Sequence, residues 1–271
     1  MELRFDKLHG AGNDFIIADD TEGKWPQDPG FIRAVCDRHK GVGGDGLILI
    51  RAKPGADPRM IYFNSDGSRA DMCGNGLRCA ASFVFRQGIA GFRRSVRLTA
   101  DDGVHQTEIL NEDGSRVKVS LLIAEEFHPV KLDSGETVYK GILGVPHAIV
   151  VRPDLEAVDV RKEGAHLRYH PVFRPAGVNV DFIGSPSPGH EGPVAIRTYE
   201  RGVEDETLAC GTGCASTAVV LNRFFGFGEK ICLLCRGKDR IEVEILKECS
   251  TLKGVLLSGP AEKAFDGKIS V

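Results

Sequence analysis

Two short segments of this 271-residue chain place a cysteine directly before glycines at the start of an apolar stretch. They are Cys73-Gly74-Asn75-Gly76 and Cys210-Gly211-Thr212-Gly213, and their cysteines lie in different halves of the chain. A cysteine at a helix N-terminus lies beside unpaired backbone N–H groups, which favour its thiolate and make it a usable base near neutral pH. Two such thiols facing one carbon across a cleft could remove a proton from one side and return one to the other, which inverts a stereocentre.

The residues around the two cysteines extend this internal repeat. The flanking glycines let the backbone approach a ligand closely and turn its amides inward, so an amino-acid carboxylate could bind there. Asn64 precedes Cys73 by the same spacing at which Arg201 precedes Cys210, and each polar residue follows an apolar, strand-like segment. We therefore expect both side chains to reach the same cleft from the ends of their strands.

Hydrophobic periodicity predicts two α+β lobes that position these segments. An apolar helix follows each cysteine, and strands of alternating or β-branched residues surround it along the chain. Because strands and helices do not alternate regularly, we expect two pseudo-symmetric lobes, each a mostly antiparallel curled sheet or barrel around its central apolar helix. The predicted N-terminal lobe is 1–123, with residues 259–271 as a segment that could return to it, and the predicted C-terminal lobe is 124–258.

Two further helices are predicted from local signals. Asp28 is a candidate N-cap before Pro29 at the first helical position, and Gly41 stands where a C-terminal glycine belongs. A second helix fits near Val160 to Arg168. Between Ile123 and Val130, acidic residues and a proline interrupt the strand pattern, so we predict the boundary between the lobes there.

Composition and charge favour a small-molecule partner. The net charge of −3, with 35 basic and 38 acidic residues, provides no basic surface for nucleic acid and no anchor for a membrane. The charged N-terminus has no apolar signal segment, so we expect a cytoplasmic protein whose 8 cysteines are reduced. Cys232 and Cys235 resemble half of a metal site, but they stand in a strand-like run without a second pair. We interpret them as buried structural cysteines and predict no metal.

Several conspicuous residues have simpler interpretations. The run Gly41–Gly46 fits a dinucleotide-binding fingerprint letter by letter, but it leads into a strand rather than a helix, which indicates a turn. Taken alone, His147 is more often a hydrogen-bonded structural histidine, and Glu200-Arg201 is more often a solvated pair at a strand end. Asn13 and Asn179 could both be turn residues.

Seven blocks of residues along the chain form an ordered signature: His9-Gly10-Ala11-Gly12-Asn13-Asp14-Phe15, Arg38-His39-Lys40-Gly41-Val42-Gly43, Phe63-Asn64-Ser65-Asp66-Gly67, Cys73-Gly74-Asn75-Gly76-Leu77-Arg78-Cys79, Pro146-His147, Tyr199-Glu200-Arg201-Gly202 and Ala209-Cys210-Gly211-Thr212-Gly213. Through these blocks the chain resembles the diaminopimelate epimerases along essentially its whole length. The resemblance implies a pyridoxal-phosphate-independent epimerase that needs no cofactor. It also implies interconversion of LL- and meso-2,6-diaminoheptanedioate in lysine and peptidoglycan biosynthesis, and members of the family often form homodimers.

The resemblance also implies roles for individual residues. The family's two catalytic cysteines fall on Cys73 and Cys210, and the residues thought to tune these thiols fall on His147 and Glu200. Diaminopimelate carries an ammonium and a carboxylate at each end, so an arginine beside the distal carboxylate is chemically sensible. The family's substrate-binding positions fall on Asn13, Asn64, Asn179, Glu200 and Arg201, and its amide cradles fall on Gly74-Asn75 and Gly211-Thr212.

Two positions depart from the family pattern. Gly46 stands where many members have glutamine, and Val145 stands where they have asparagine before Pro-His. Both positions contact substrate in the family, so up to two side-chain hydrogen bonds, each worth about 1 kcal/mol, could be missing.

The departures keep other functions open. One alternative is a cofactor-independent racemase or isomerase of the same fold that acts on another amino acid. Another is a non-catalytic ligand-binding or thiol-redox protein, in which Cys73 and Cys210 serve packing or oxidation. A reversible disulfide between these two cysteines fits either class of protein.

Overall fold

The computed structural model describes residues 1–187, 189–190, 192–249 and 251–270, which form two compact units. The first unit comprises Met1–Ser120 and the described residues of Ser258–Val271, and the second comprises Leu121–Leu257. Strands predominate in both units, which gives the α+β class predicted from the sequence. Among the described residues, no helix is long and apolar enough to cross a membrane.

The first unit takes most of its strands from the N-terminal part of the chain. Its helices are α1 Pro29–Cys36 and α2 Gly74–Arg86. Its strands are β1 Glu2–Gly10, β2 Asn13–Asp19, β3 Gly46–Arg51, β4 Arg59–Asn64, β5 Arg69–Ala70, β6 Ser95–Ala100, β7 Gly103–Ile109 and β8 Arg116–Leu121.

The second unit follows with the helices α3 Val160–Arg168 and α4 Gly211–Phe225 and a 3-10 turn at Pro171–Phe173. The unit boundary falls within β17 Thr251–Pro260, and β18 Glu262–Ser270 then pairs antiparallel with β1 in the first unit. The other strands of the second unit are β9 Ile123–Lys131, β10 Thr137–Leu143, β11 Val145–Val151, β12 Asn179–Ile183, β13 Val194–Glu200, β14 Asp205–Thr207, β15 Lys230–Leu234 and β16 Arg240–Glu248.

The two units repeat the same sequence of strand pairings. In the first, β1 to β4 pair in order as antiparallel, parallel and antiparallel neighbours, and β4 also pairs parallel with β6. In the second, β10 to β13 pair in the same order, and β13 also pairs parallel with β15. A helix provides each parallel crossover, α1 between β2 and β3 and α3 between β11 and β12. The internal repeat predicted from the two cysteine segments is thus a repeat of topology.

Each unit surrounds its central helix with strands. Helix α2 packs against β1, β2, β3, β4 and β7, and α4 packs against β9 to β12, β15 and β16. The residues Gly211 to Leu221 of α4 are all buried, as expected for a helix that is apolar on nearly every side. The prediction of a curled, mostly antiparallel sheet around a central apolar helix is confirmed in both units.

The third strand of each repeat lies between two helices, so its alternate residues face different partners. In β3, Leu47 and Leu49 join the apolar core beside α1, whereas Ile48 reaches Gly76 in α2. In β12, Val180 and Phe182 join the apolar core beside α3, whereas Asp181 reaches Gly213 in α4. Ile48 and Asp181 therefore stand at matching positions, each beside the second glycine of its cysteine motif.

The structure corrects two local predictions. The stretch predicted as an interruption between the lobes is the strand β9, in which Phe127 is the only buried side chain, so the apolar alternation that reveals a strand is absent. Helix α1 begins at Pro29 with Asp28 as N-cap, as predicted, but it ends at Cys36. Gly41 lies in the turn that follows, and a side chain there would overlap the carbonyl groups of Ala34 and Val35.

Candidate active site

Cys73 is the N-cap residue of α2. Its backbone is extended, with φ −139° and ψ 123°, and its sulfur accepts a hydrogen bond from Gly76 N at 3.4 Å. The thiol thereby takes the role that a serine or aspartate side chain usually has at this position. Gly74 and Asn75 form the first helical turn, so their amides lie at the positive end of the helix, where negative charge is favoured.

The side chain of Asn13 contacts Cys73. It begins β2 directly after the tight turn that follows β1. Its Oδ1 lies 3.7 Å from Cys73 Sγ and 3.3 Å from Asn75 Nδ2. Asn75 Oδ1 in turn accepts a 2.9 Å hydrogen bond from Arg78 Nη2, and Arg78 is fully buried. The structure therefore joins three predicted site residues, Cys73, Asn13 and Asn75, in one network.

Asp45, which the sequence analysis did not single out, fixes the orientation of Asn13. Its Oδ2 accepts hydrogen bonds from Asn13 Nδ2 at 2.7 Å and from Asp14 N at 3.1 Å. Because a carboxylate only accepts, the amide nitrogen of Asn13 must face Asp45 and the amide oxygen must face Cys73.

Cationic side chains pair with the carboxylates of Asp45 and its neighbour Asp14. Arg38 bonds to both Asp45 and Asp14, and Lys7 pairs with Asp14 at 2.7 Å. Burial raises the pKa of Asp14, but the hydrogen bonds from Arg38 and Lys7 outweigh burial and hold this pKa well below its usual range.

Asn64 ends β4 and opens a tight turn. Its Nδ2 donates to Ser68 Oγ at 3.0 Å, and its backbone N donates to Ser68 O at 2.9 Å. The turn is close-packed, because Gly67 has φ +85° and lies directly against Pro29 at the start of α1. The contacts that the structure gives for the Asn64 side chain are thus within its own turn.

Cys210 is the N-cap residue of α4, with Gly211 and Thr212 as the first two helical residues. Its Sγ lies 3.5 Å from Thr212 Oγ1, and Thr212 Oγ1 lies 2.9 Å from His147 Nε2. The other imidazole nitrogen, His147 Nδ1, lies 2.7 Å from Asp181 Oδ2. His147 and Asp181 are fully buried. The structure thus joins three predicted residues, Cys210, Thr212 and His147, and adds Asp181 behind them.

The surroundings of Cys210 favour the protonated thiol. Burial raises the pKa of Cys210 well above its ordinary value, and the carboxylates of Glu200 and Asp181 raise it further. Hydrogen bonds with Thr212 and with the amide of Gly213 lower the pKa by less. Burial and two nearby carboxylates therefore oppose the thiolate that the helix N-terminus was expected to favour at Cys210, and the role of Cys210 as a base stays a prediction.

Asn179 and Arg201 are held together at the end of the second unit's sheet. Asn179 Oδ1 accepts a 2.7 Å hydrogen bond from Arg201 N, and Asn179 Nδ2 donates to Pro146 O at 3.2 Å. Burial, and then the neighbouring Arg168, lower the pKa of Arg201 from its ordinary high value. Arg168 itself pairs with Glu204 at 3.4 Å. The charge of Glu204 also acts on Arg201, and Arg201 Nη1 donates to Ala176 O at 3.5 Å, but within the described residues no carboxylate lies at ion-pair distance from this guanidinium.

The two positions that depart from the family pattern differ in the space around them. Gly46 begins β3, and a side chain there would overlap the carbonyl of Phe63 and the ring of Tyr62. Tyr62 packs edge-on against Phe15 with ring centroids 5.9 Å apart, so its ring is held in this place. Val145 begins β11 and is half-buried, so part of this residue already reaches solvent.

Among the remaining cysteines, Cys235 is buried and its Sγ lies 3.5 Å from Cys214 Sγ in α4. Cys232, three residues earlier, is half-buried. The interpretation of this pair as buried is thus confirmed for Cys235 and wrong for Cys232, which is partly exposed.

Asp45 and Asp181 were missed for different reasons. Asp45 lies in the glycine-rich run that we interpreted only as a turn. Asp181 did leave a signal, because it is a charged residue inside the apolar strand Val178 to Ile183. A lone carboxylate on a buried strand requires buried partners, and His147 is one of them.

Solved structures define the class of fold. A PhzF-family phenazine biosynthesis protein from Bacillus anthracis matches with a TM-score of 0.77 and 16% identity over 100% of both chains. A hydroxyproline epimerase from Agrobacterium vitis matches with a TM-score of 0.71 and 15% identity over 99% of this chain and 91% of that one. At these identities the likeness establishes the fold alone, which this chain shares with both of these proteins.

Sequence comparison then gives the family. The family model for diaminopimelate epimerase matches residues 5–121 and 139–250. The diaminopimelate epimerase of Aquifex aeolicus is 40% identical over an alignment of 283 positions, gaps included. The alignment covers 99% of this chain and 98% of the relative. That of Archaeoglobus fulgidus is 37% identical, over 98% of this chain and 96% of the relative. The chain belongs to the diaminopimelate epimerase family.

Proposed function

We propose that this chain inverts one α-carbon of 2,6-diaminoheptanedioate, and so interconverts the LL and meso isomers, by a two-base mechanism that uses no pyridoxal phosphate. The thiolate of one cysteine removes the α-proton, and the thiol of the other delivers a proton to the opposite face. Cys73 and Cys210 are the proposed pair. The observation that carries the proposal is that each of them is the N-cap of the central helix of its unit.

The helix N-termini supply the electrostatic part of the chemistry. Removing an α-proton places negative charge on the α-carbon, and this charge spreads into the adjacent carboxylate. Backbone amides at a helix N-terminus stabilise a carboxylate, and they do so more strongly as its charge grows. The proposed cradles are the amides of Gly74-Asn75 and Gly211-Thr212, all of them buried first-turn residues.

Arg201 is the proposed partner of the distal carboxylate. Its guanidinium is half-buried and has no ion pair within the described residues, and a planar guanidinium binds a carboxylate through two parallel hydrogen bonds. Asn13, Asn64, Asn179 and Glu200 complete the proposed substrate-binding set. Asn179 contributes by holding the backbone of Arg201, because both ends of its amide are bonded within the protein.

Solvent isotope exchange tests this function. The purified protein, kept under reductant without added metal or pyridoxal phosphate, is incubated in D2O with LL-diaminopimelate. We expect deuterium at one α-carbon and accumulation of the meso isomer. Replacement of Cys73 or of Cys210 by alanine should lower turnover by about 10²–10⁴-fold. Full turnover in the double variant would show that the thiols are not the acid and base.

A second candidate function rests on Gly46 and Val145. At both positions this chain lacks the side chain that contacts substrate in many members of the family, so a related amino acid could be the better substrate. Rates of α-deuteration of diaminopimelate, proline and histidine, measured side by side, decide between the two. A preference for a monocarboxylate would favour a racemase of the same fold over the proposed epimerase.

Location and assembly are proposed from the sequence and the family. We propose a cytoplasmic homodimer that binds no nucleic acid and no membrane surface. Sedimentation velocity of the full chain, repeated with and without diaminopimelate, measures the assembly directly. A single species with the mass of one chain, 29.4 kDa, would argue against the dimer.

A further inference from the structure

The two cysteines occupy matching positions, but the side chains behind them differ in chemistry. In the first unit, Phe15 on β2 pairs in register with Gly46, and Ile48 on β3 touches Gly76. In the second unit, His147 on β11 pairs in register with Asn179, and Asp181 on β12 touches Gly213. An imidazole and a carboxylate thus stand where the first repeat has a phenyl ring and an aliphatic side chain.

With Asp181 ionised and His147 neutral, donor and acceptor chemistry gives one consistent direction to the hydrogen bonds behind Cys210. An ionised carboxylate only accepts, so Asp181 Oδ2 requires the proton on His147 Nδ1. The neutral imidazole then accepts at Nε2, so the hydroxyl of Thr212 donates to it. The oxygen of Thr212 is left to accept from the thiol of Cys210. A continuous path of polarised bonds therefore runs from the sulfur to the carboxylate.

The same carboxylate is itself held in place. Asp181 Oδ1 accepts a 2.7 Å hydrogen bond from Thr198 Oγ1, and it lies against Gly213 so closely that a β-carbon there would overlap it. Asp181, His147 and Thr198 are all buried, at 0%, 0% and 3% exposure. A buried carboxylate with two side-chain partners and a helix N-terminus beside it is a preorganised charge.

We propose that Asp181 is a positioning residue that makes Cys210 a base by way of His147 and Thr212. In the proposed step, the thiol proton of Cys210 moves to Thr212 Oγ1 while the hydroxyl proton of Thr212 moves to His147 Nε2. The S–H and O–H bonds break, and new O–H and N–H bonds form. The products are a thiolate, an intact hydroxyl and an imidazolium that still donates to Asp181. The role of Cys210 in turnover rests on the proposed epimerase function, whereas the path itself does not.

The path and simple electrostatics predict opposite changes in the pH at which the Cys210 thiolate forms when Asp181 is replaced. Asp181 and Glu200 both lie near enough to Cys210 to disfavour its negative charge, and Cys214 lies one turn along α4. If Asp181 acted only as a nearby charge, Asp181→Asn would make the Cys210 thiolate form at lower pH. If it acts through His147, the same change removes the counter-charge of the imidazolium, and the thiolate forms at higher pH.

Thiol alkylation measures this sign without substrate. In a Cys73→Ala background, the rate at which iodoacetamide modifies Cys210 is followed against pH by peptide mass spectrometry. We expect Asp181→Asn to move the midpoint of this profile upwards by about one pH unit or more. In the reciprocal Cys210→Ala background, the profile of Cys73 should stay unchanged. A downward or absent shift at Cys210 would overturn the proposal.

A double-variant comparison shows whether Asp181 acts through the imidazole. In a His147→Gln background the path is already broken, so Asp181→Asn should produce no upward shift and should reveal the downward shift of simple charge removal. An equal upward shift in both backgrounds would exclude His147 as the intermediary. The matched control Thr198→Val, which removes only the second partner of Asp181, should leave the direction of the profile unchanged.

Variants of Thr212 provide a second test of the path, which does not require the Asp181→Asn protein to fold. Thr212→Val keeps the shape of the side chain but removes the hydroxyl, and it should raise the Cys210 midpoint in the same direction. Thr212→Ser should restore it. Should the isotope-exchange assay fail while these shifts appear, the path stands and the epimerase proposal falls. Isotope exchange without an upward shift would instead support the epimerase and overturn the path.

Discussion

The amide oxygen of Asn179 accepts a 2.7 Å hydrogen bond from the backbone nitrogen of Arg201, while its amide nitrogen bonds to Pro146 O. One buried side chain therefore ties the loop that carries the proposed distal-carboxylate ligand to the start of β11. Asn179→Ala should loosen Arg201 and raise KM for diaminopimelate about tenfold, with kcat changed less than about threefold. Steady-state kinetics measures both constants.

The matched control for this prediction is Asn222→Ala. Asn222 makes the same kind of side-chain bond, to Phe227 O at 2.8 Å, but it does so at the C-terminal end of α4. Both variants should lose some thermal stability, and only Asn179→Ala should change KM. Equal KM values for the two variants would mean that Asn179 does not position Arg201.

Gly213 and Gly76 hold equivalent positions in the two cysteine motifs, but their tolerance to a methyl group should differ. A β-carbon at Gly213 would overlap the carboxylate of Asp181, which is fixed by His147 and Thr198. At Gly76 the nearest obstacle is the flexible end of Ile48, at 3.0 Å. Gly213→Ala should therefore destabilise the protein by roughly 2–4 kcal/mol and Gly76→Ala by about 1 kcal/mol or less. Urea unfolding measures both, and a reversed order would contradict the packing described for Asp181.

The ion pairs of Asp14 should make stability depend on pH. Because its pKa is lowered in the folded protein, Asp14 stabilises the fold above the ordinary aspartate pKa of about 4, and this contribution is lost as pH falls through the lowered value. Asp14→Asn should therefore cost roughly 1–3 kcal/mol at pH 7 and distinctly less at pH 3.

Denaturant unfolding at both pH values checks the expectation for Asp14. Glu22→Gln, which removes the partner of an exposed lysine, is the control and should change little at either pH, because surface ion pairs are weak. A difference between the native chain and Asp14→Asn that stays constant down to pH 3 would show that the carboxylate is not linked to folding in this way.

Restoring the family's usual residues should succeed at one position and fail at the other. Gly46→Gln places a side chain against Phe63 O and the ring of Tyr62, so we expect a loss of about 1–3 kcal/mol of stability and lower activity. Val145→Asn enters a half-buried strand start and should be tolerated, with KM lowered or unchanged. Thermal melts and steady-state kinetics with diaminopimelate check both variants. A stable Gly46→Gln protein would show that Tyr62 moves aside easily.

The repeat was predictable because its signal is local. Each cysteine precedes a glycine and an apolar run. A helix start is signalled locally, by a cap residue directly before residues with helical apolar periodicity. The structure accordingly begins α2 after Cys73 and α4 after Cys210. The helix α3 was predicted at its observed bounds for the same reason, since Asp159 caps it and its apolar face is periodic.

The networks behind the thiols were not predictable, because they depend on strand register. Asp45, directly before β3, reaches Asn13 at the start of β2, and Asp181 reaches His147 from the neighbouring strand, at sequence separations of 32 and 34 residues. No local pattern specifies such pairs. The raised pKa of Cys210 was not predictable for a related reason. A sequence shows the helix N-terminus beside this thiol, but it does not show the burial or the two carboxylates that raise its pKa.

The return of β18 to β1 has a consequence for how the protein is made. Glu2 pairs with Ser270, and the register continues to His9 and Glu262. During translation the ribosome must therefore deliver the entire second unit before the last hydrogen-bonded edge of the first can close. The intervening unit can fold while its neighbour still waits for this strand, so a stalled or prematurely released chain exposes the unpaired backbone of β1 to other nascent chains.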